Sequence, residues 1–324
     1  ILERASPGEI EVGGRDVVTA GHSAFVRGTL EWSITATHRL RLSTAPEAVW
    51  RSVDERRATT VSGLSATEGE QRLKTAVNGL EYQADLFDAK LQNVAFGKSY
   101  SQASNFTRRL PMDRSESLAK STQEWGAGDA LRYRIVPELW AKASYEYATR
   151  LPRVDEVFGD GALTQANLEL RPEVSHNLNL GAAGRAESEQ LGSLRGELNL
   201  FLRDTEDLIR RTGAALYYSF QNVAHARTVG IEGSAHLATK QDRAVLDIAA
   251  TLLDSRNRSR TGPYASQEGD RIPNRPYAFG SATLTLRWRG VAVPNDVLST
   301  SWTSRYTHEL FRNWESLGAR EGKA

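Results

Sequence analysis

A chain of 324 residues with 41 basic and 40 acidic side chains carries a net charge of +1, which leaves no electrostatic footprint for nucleic acid. It has no cysteine, which excludes thiol catalysis, thiolate metal sites and disulfides. No run approaches the roughly 18 apolar residues of a transmembrane helix, yet a membrane barrel stays open, because its strands show lipid only every second side chain.

The chain begins at Ile1 with no signal-peptide pattern and stops in the loop-like Glu321-Gly322-Lys323-Ala324, so it reads as an internal fragment. Between those ends, alternation with period two dominates and amphipathic helical windows are scarce. Strands are expected at 23–33, 38–52, 72–86, 90–104, 123–134, 137–149, 173–185, 193–208, 217–237, 243–256, 276–289 and 298–311. In 193–208, Leu198, Leu200 and Leu202 alternate with Glu197, Asn199 and Arg203. In 276–289, Ala282, Leu284 and Leu286 alternate with Thr283, Thr285 and Arg287. Each such segment has one apolar and one polar face. The stretch 123–134 is the exception, since Asp129 interrupts its apolar phase.

The connections alternate between roughly 2–8 and roughly 18–23 residues, the pattern of outer-membrane barrels with short turns at one end and long loops at the other. The long ones are 53–71, 105–122, 150–172 and 257–275, with a shorter exception near 209–216. This sorting sets the fold class: all-β, an antiparallel up-and-down transmembrane β-barrel of which about 12 strands of a larger barrel are present. The whole of 1–324 is one such partial barrel domain, with 1–22 and 312–324 as extracellular loop pieces. Trp32, Trp288 and Trp302 fall on the apolar face toward the short turns, where an interface girdle belongs, whereas Trp140 falls on the polar face.

The run 151–181 has the strongest punctuation. Arg150-Leu151-Pro152 is followed by Glu156, Phe158-Gly159, Asn167, Leu170-Arg171-Pro172-Glu173 and Gly181. Further on come Asn222-Val223, Arg227 and Gly230-Ile231-Glu232, and then a proline-led strand entry in "GDRIPNRPYAFGSATLTLRW". Together these resemble the loop-and-strand signature of TonB-dependent outer-membrane receptors over about residues 137–311. Leu168 stands where that family usually has proline after the asparagine. Pro152 and Pro172 cannot donate ladder hydrogen bonds, so they mark where strand pairing stops and restarts. Asp160-Gly161 permits a tight turn, and the polar segment between the prolines is expected to stand solvated above the membrane.

The resemblance implies the barrel wall of an energised importer for a siderophore, vitamin, glycan or similar nutrient, in the outer membrane of a Gram-negative bacterium. Its implied partners are outer-membrane lipid, a plug domain of the same full-length chain, an inner-membrane TonB-type coupling protein and a nutrient ligand. No plug, coupling box or closing strand is recognisable here, so the fragment is expected not to transport alone. Alternatives are a passive porin-like channel and a soluble carbohydrate-binding β protein. Arg150, Glu156 and Arg171 are the charged candidates for ligand contact on loop 150–172. For Arg150 and Glu156 the favoured reading is that they brace the strand–loop junction. Polar-face charges such as Arg39, Arg41, Lys142, Glu146, Glu197 and Asp247 are expected to pair across a hydrated lumen or with a plug.

Enzyme chemistry finds no support. Gly97-Lys98-Ser99 lacks the upstream glycine of a phosphate-binding loop, the six histidines are scattered, and no nucleophile motif occurs. No cofactor and no metal are called for.

Overall fold

The computed structural model describes residues 2–6, 15–57, 69–110, 114–160, 164–190, 192–214, 217–318 and 320–321. The first half holds β1 (Leu2–Ser6), β2 (Arg15–Phe25), β3 (Gly28–Ser33), β4 (His38–Arg57), β5 (Gly69–Leu86), β6 (Leu91–Leu110), β7 (Arg114–Val136) and β8 (Leu139–Arg150). A one-turn helix α1 (Val154–Phe158) and a short β9 (Thr164–Gln165) follow. Then come β10 (Glu173–Ser188), β11 (Gly192–Ala214), β12 (Tyr217–Ala238), β13 (Ala244–Asn257), β14 (Ala278–Arg289) and β15 (Val297–Thr307). The small pair β16 (Leu310–Phe311) and β17 (Arg320–Glu321) stands apart.

All but that pair form one 15-stranded sheet. Neighbours in sequence are neighbours in space and run antiparallel from β1 to β15; β3 shares β4 with β2, and β9 joins β12 in parallel. Among the described residues the first and last strands of the path do not pair, so the sheet is an open wall. This is the expected up-and-down architecture.

Register explains which face is which. Leu180 lies opposite Leu200, Leu200 opposite Ile231 and Ile231 opposite Leu252. Leu246 lies opposite Leu284, and Leu284 opposite Trp302. These rows make a continuous apolar outer band, with Leu180, Leu200 and Leu252 exposed. The alternate residues make the concave, polar face. There Arg41 meets Glu31 and Glu81 at 3.0 Å, Lys98 meets Glu146 at 2.8 Å and Lys142 meets Glu197 at 2.7 Å. Asp129, on the outer face, takes both oxygens to the Asn93 amide at 2.8 and 2.9 Å, which is how β7 tolerates a carboxylate there.

Several boundaries differ from expectation, for identifiable reasons. Residues 23–33 are two strands on one partner, interrupted at Val26-Arg27. Val26 N–H donates to the Pro46 carbonyl at 3.0 Å, and Pro46 has no N–H to return. Residues 105–122 are mostly strand, because β6 and β7 continue far above the turn, with register pairs such as Phe106 opposite Leu118. The span 209–216 is strand through Ala214, and the loop 53–71 loses both ends to β4 and β5. Residues 2–6 and 15–22 pair as strands rather than forming a loop, and β17 likewise falls within 312–324. With strands of up to 23 residues, against roughly 9–11 to cross a bilayer, the wall rises well beyond one membrane face. The expected final strand 298–311 ends at Thr307.

Trp32 and Trp288 are exposed and lie one residue from the turn-side ends of β3 and β14. Trp302 is exposed too, but it sits opposite Leu284 within the apolar band rather than at its edge. Trp140 does face the concave side, between the guanidiniums of Arg132 and Arg185 at 4.9 and 5.7 Å from its ring.

Candidate functional site

The loop between β8 and β10 folds inward. It lies on the concave face at the long-loop end instead of standing in solvent. Its entry is held by Gln102, whose amide donates to the Pro152 carbonyl at 2.8 Å. Glu156 reaches back to accept the Arg153 N–H at 2.8 Å, which starts α1 as a capping residue does. Val157 and Phe158 then bury themselves against Leu73 and Phe106, flanked by Val49, Val154 and Leu168. The Phe106 and Phe158 rings are 6.2 Å apart and tilted by 54°.

Gly159 ends the turn at φ 68°, and a Cβ there would sit 2.0 Å from the Thr164 carbonyl oxygen. Only glycine fits both the conformation and the space. The Gly159 carbonyl accepts from Arg51 Nη2 at 2.7 Å, and Arg51 Nη1 is 3.3 Å from Asp155. Asp160 accepts the Thr164 N–H at 2.7 Å, closing the turn; its partner Gly161 lies outside the described residues.

The far side of the loop is fastened to β11 and β12. Asn167 donates to the Phe220 carbonyl at 2.8 Å and accepts the Glu169 N–H at 3.1 Å. Leu170 is buried, and its carbonyl accepts from Lys120 at 2.9 Å. Asn222 clamps the Arg171 backbone from both sides, accepting its N–H at 3.0 Å and donating to its carbonyl at 2.9 Å. The Arg171 side chain reaches Asp207 at 2.5 Å. Buried Pro172 leads into Glu173.

Arg150 joins the two ends of the loop. Its Nη1 donates to both Glu156 oxygens at 2.9 and 3.0 Å, and its Nη2 donates to Glu173 at 2.7 Å. Glu173 also accepts the Ile209 N–H at 2.7 Å. Of the charged candidates, Arg150 and Glu156 are therefore bonded to each other, while Arg171 stands apart at 64% side-chain exposure.

The remaining motif residues shape the concave face below. The Phe201 ring lies over Gly230, where a Cβ would come within 2.3 Å of it. Gly181 lets Asn199 approach in the same way, and Asn199 donates to Glu232 at 3.1 Å. The residues that receive the loop (Arg51, Leu73, Gln102, Phe106 and Lys120) escaped the sequence reading. One signal existed: Leu73 is an apolar residue on the polar phase of its strand. Among the described residues no three His, Asp or Glu side chains come together as a metal site.

A family model described as TonB dependent receptor-like, beta-barrel, matches residues 99–318. The chain belongs to the TonB-dependent receptor family. That family is one of outer-membrane receptors and transporters rather than enzymes. Solved structures agree in fold. The ferric yersiniabactin uptake receptor FyuA from Yersinia pestis superposes with a TM-score of 0.66 at 11% identity, over 96% of this chain and 47% of that one. A double mutant of the Serratia marcescens hemophore receptor HasR, in complex with its hemophore HasA and heme, gives 0.62 at 13% identity, over 92% of this chain and 54% of HasR. The copper transporter OprC gives 0.67 at 11% identity, over 92% and 44%. The chain thus spans about half the length of these TonB-dependent receptors. A search of curated proteins by sequence finds no match.

Proposed function

We propose that the full-length protein imports a scarce nutrient across the outer membrane of a Gram-negative bacterium, using energy delivered by an inner-membrane TonB-type coupling protein. The family match over 99–318 carries this reading. These strands supply part of the wall; the same full-length chain would supply a plug and a coupling segment. The structural neighbours include a hemophore receptor with heme, a ferric yersiniabactin receptor and a copper transporter, which makes metals and metal chelates the first cargo class to test.

Loop 150–172 is proposed as a fixed ledge for ligand capture at the extracellular rim. Its buried Phe158 and its bonds to β4, β6, β7 and β12 support a ledge over a hinged flap. Arg171, the most exposed of the three charged candidates, is the best placed to meet a ligand, whereas Arg150 and Glu156 hold the loop ends.

The deciding experiment measures uptake of a labelled metal chelate by cells expressing the full-length protein, with and without a protonophore. Uptake should stop when the membrane is de-energised. Uptake that continues unchanged would identify a passive channel. Deleting 160–168 should leave a folded barrel with weaker surface binding, and unchanged affinity would remove the ledge proposal alone.

A further inference from the structure

Charges on the concave face are mostly paired, but three arginines near loop 150–172 are not. Arg203 spends its Nε on the Asn177 side-chain Oδ1 at 2.8 Å, and its two terminal amino groups have no acceptor among the described residues. Arg210 lies on the same face as Leu208, which packs on Ala226 and Ile272, and donates to the Pro273 carbonyl at 2.5 Å. Arg275 has neither a hydrogen bond nor a carboxylate within ion-pair distance among the described residues.

Backbone chemistry presents Arg275 rigidly. It sits between Pro273-Asn274 and Pro276, with Asn274 in the left-handed region at φ 59° and its N–H fixed to the Phe311 carbonyl at 2.7 Å. A residue before proline is confined to extended geometry, so the backbone that carries Arg275 has little freedom left to lose when a ligand arrives, although its side chain still must be ordered. Arg275 is exposed to solvent. Partial desolvation of its guanidinium by the surrounding chain, together with the Arg203 charge, lowers its pKa against the opposing pull of Glu173. The Arg275 charge in turn acts on Arg210. The one nearby carboxylate, Glu173, is already engaged by Arg150 and Ile209.

Arg275 feels the like charges of both Arg203 and Arg210, and none of the three has a carboxylate within ion-pair distance among the described residues, a cost that an oxyanion removes. We infer that Arg203, Arg210 and Arg275 form a subsite for an anionic, oxygen-rich group, a carboxylate or phosphate, on the imported ligand. This rests on the receptor reading above and narrows its substrate class. A lower group of cations, without carboxylate partners among the described residues, offers an internal contrast: Arg132 and Arg185 stack on Trp140, with Arg195 opposite Arg185.

The test is calorimetric titration of the purified full-length receptor with citrate and with inorganic phosphate at low ionic strength. Saturable binding is expected that weakens with salt, and Arg275→Gln or Arg203→Gln should each reduce affinity by about tenfold or more. Arg275→Lys, which keeps the charge without the fork, should bind more weakly than wild type and more tightly than Arg275→Gln. Arg195→Gln removes the same charge lower on the same face and should leave affinity unchanged. Absence of binding for both probes overturns the subsite. So does an equal loss in Arg195→Gln, or binding that appears only after the plug is deleted, since plug carboxylates would then be the natural partners. Energised uptake in the same protein is scored separately, so a failed subsite with intact uptake leaves the receptor reading standing.

Discussion

Arg150 and Glu173, directly opposite in the β8–β10 register, are joined by a 2.7 Å charge-assisted hydrogen bond across the mouth of loop 150–172. The same guanidinium holds Glu156 inside the loop, so one side chain fixes both its entry and its exit. The Arg150 side chain is 36% exposed, which tempers the energy by solvent screening. Arg150→Gln should loosen the docked loop by about 1–2 kcal/mol. In a double-mutant cycle with Glu156→Gln the two losses should not add, because the second change removes a partner already lost. Strict additivity in loop protection from proteolysis would show that the pair does not work as a unit.

Phe158 and Gly159 make a separate anchor. Truncating Phe158 to alanine removes a side chain that is 1% exposed and leaves a void against Leu73 and Phe106. The expected loss is about 3–5 kcal/mol of loop docking. Gly159→Ala should undock the loop by a different route, through the clash with Thr164. Hydrogen exchange across 150–172 should rise in both variants while the folded barrel still resists heat on a gel. A protected loop in Phe158→Ala would mean that the polar contacts alone hold it.

What the sequence revealed depended on where lipid is. From β10 to β14 the outer face meets hydrocarbon, so Leu198, Leu200, Leu202, Leu246 and Leu284 alternate cleanly with polar residues and the strands could be read. Above the bilayer both faces are wet, the alternation fades, and the stretches from Asn105 to Leu110 and from Arg114 to Thr122 resemble a loop although they are paired strand. The motif residues of 150–181 marked a segment whose inward fold they did not announce. That fold depends on Arg51, Leu73, Gln102 and Phe106, partners from strands well before the loop, and nothing local to the loop names them. The break at Val26-Arg27 was hidden for the same reason, since its cause, Pro46, lies on the neighbouring strand.

The outer band makes a membrane-specific prediction. Leu284 lies between Leu246 and Trp302 on the apolar face, while Thr285 hydrogen-bonds Ser301 at 3.0 Å on the concave one. In the full-length barrel folded into bilayers, Leu284→Arg should cost about 2–4 kcal/mol, and Thr285→Arg much less. The comparison is internal, because both variants add the same side chain at adjacent positions. Equal costs would mean that the faces are assigned wrongly.

The β14–β15 turn predicts a pH response outside the membrane. The Asp296 carboxylate accepts the N–H groups of Val291 at 2.7 Å, Ala292 at 2.8 Å and Val293 at 3.4 Å. The Ala292 N–H does most to hold its pKa below the ordinary 3.8, with Val291 and Val293 adding to it. A depressed carboxylate pKa means that the turn's added stability is fully present above the unfolded value of about 3.9 and is lost as pH falls through the folded value. At neutral pH the amides of Val291 and Ala292 should therefore be protected, and Asp296→Asn, which removes the charge, should speed their exchange. Below the folded pKa, wild type and variant should converge. The decisive measurement is the Asp296 carboxyl shift followed by NMR as pH is lowered in the detergent-solubilised full-length protein. Titration at or above the ordinary carboxylate value would show that the three N–H contacts do not favour the charged form, and the turn would then owe its stability to the backbone bond from Gly290 N–H to the Asp296 carbonyl at 3.0 Å.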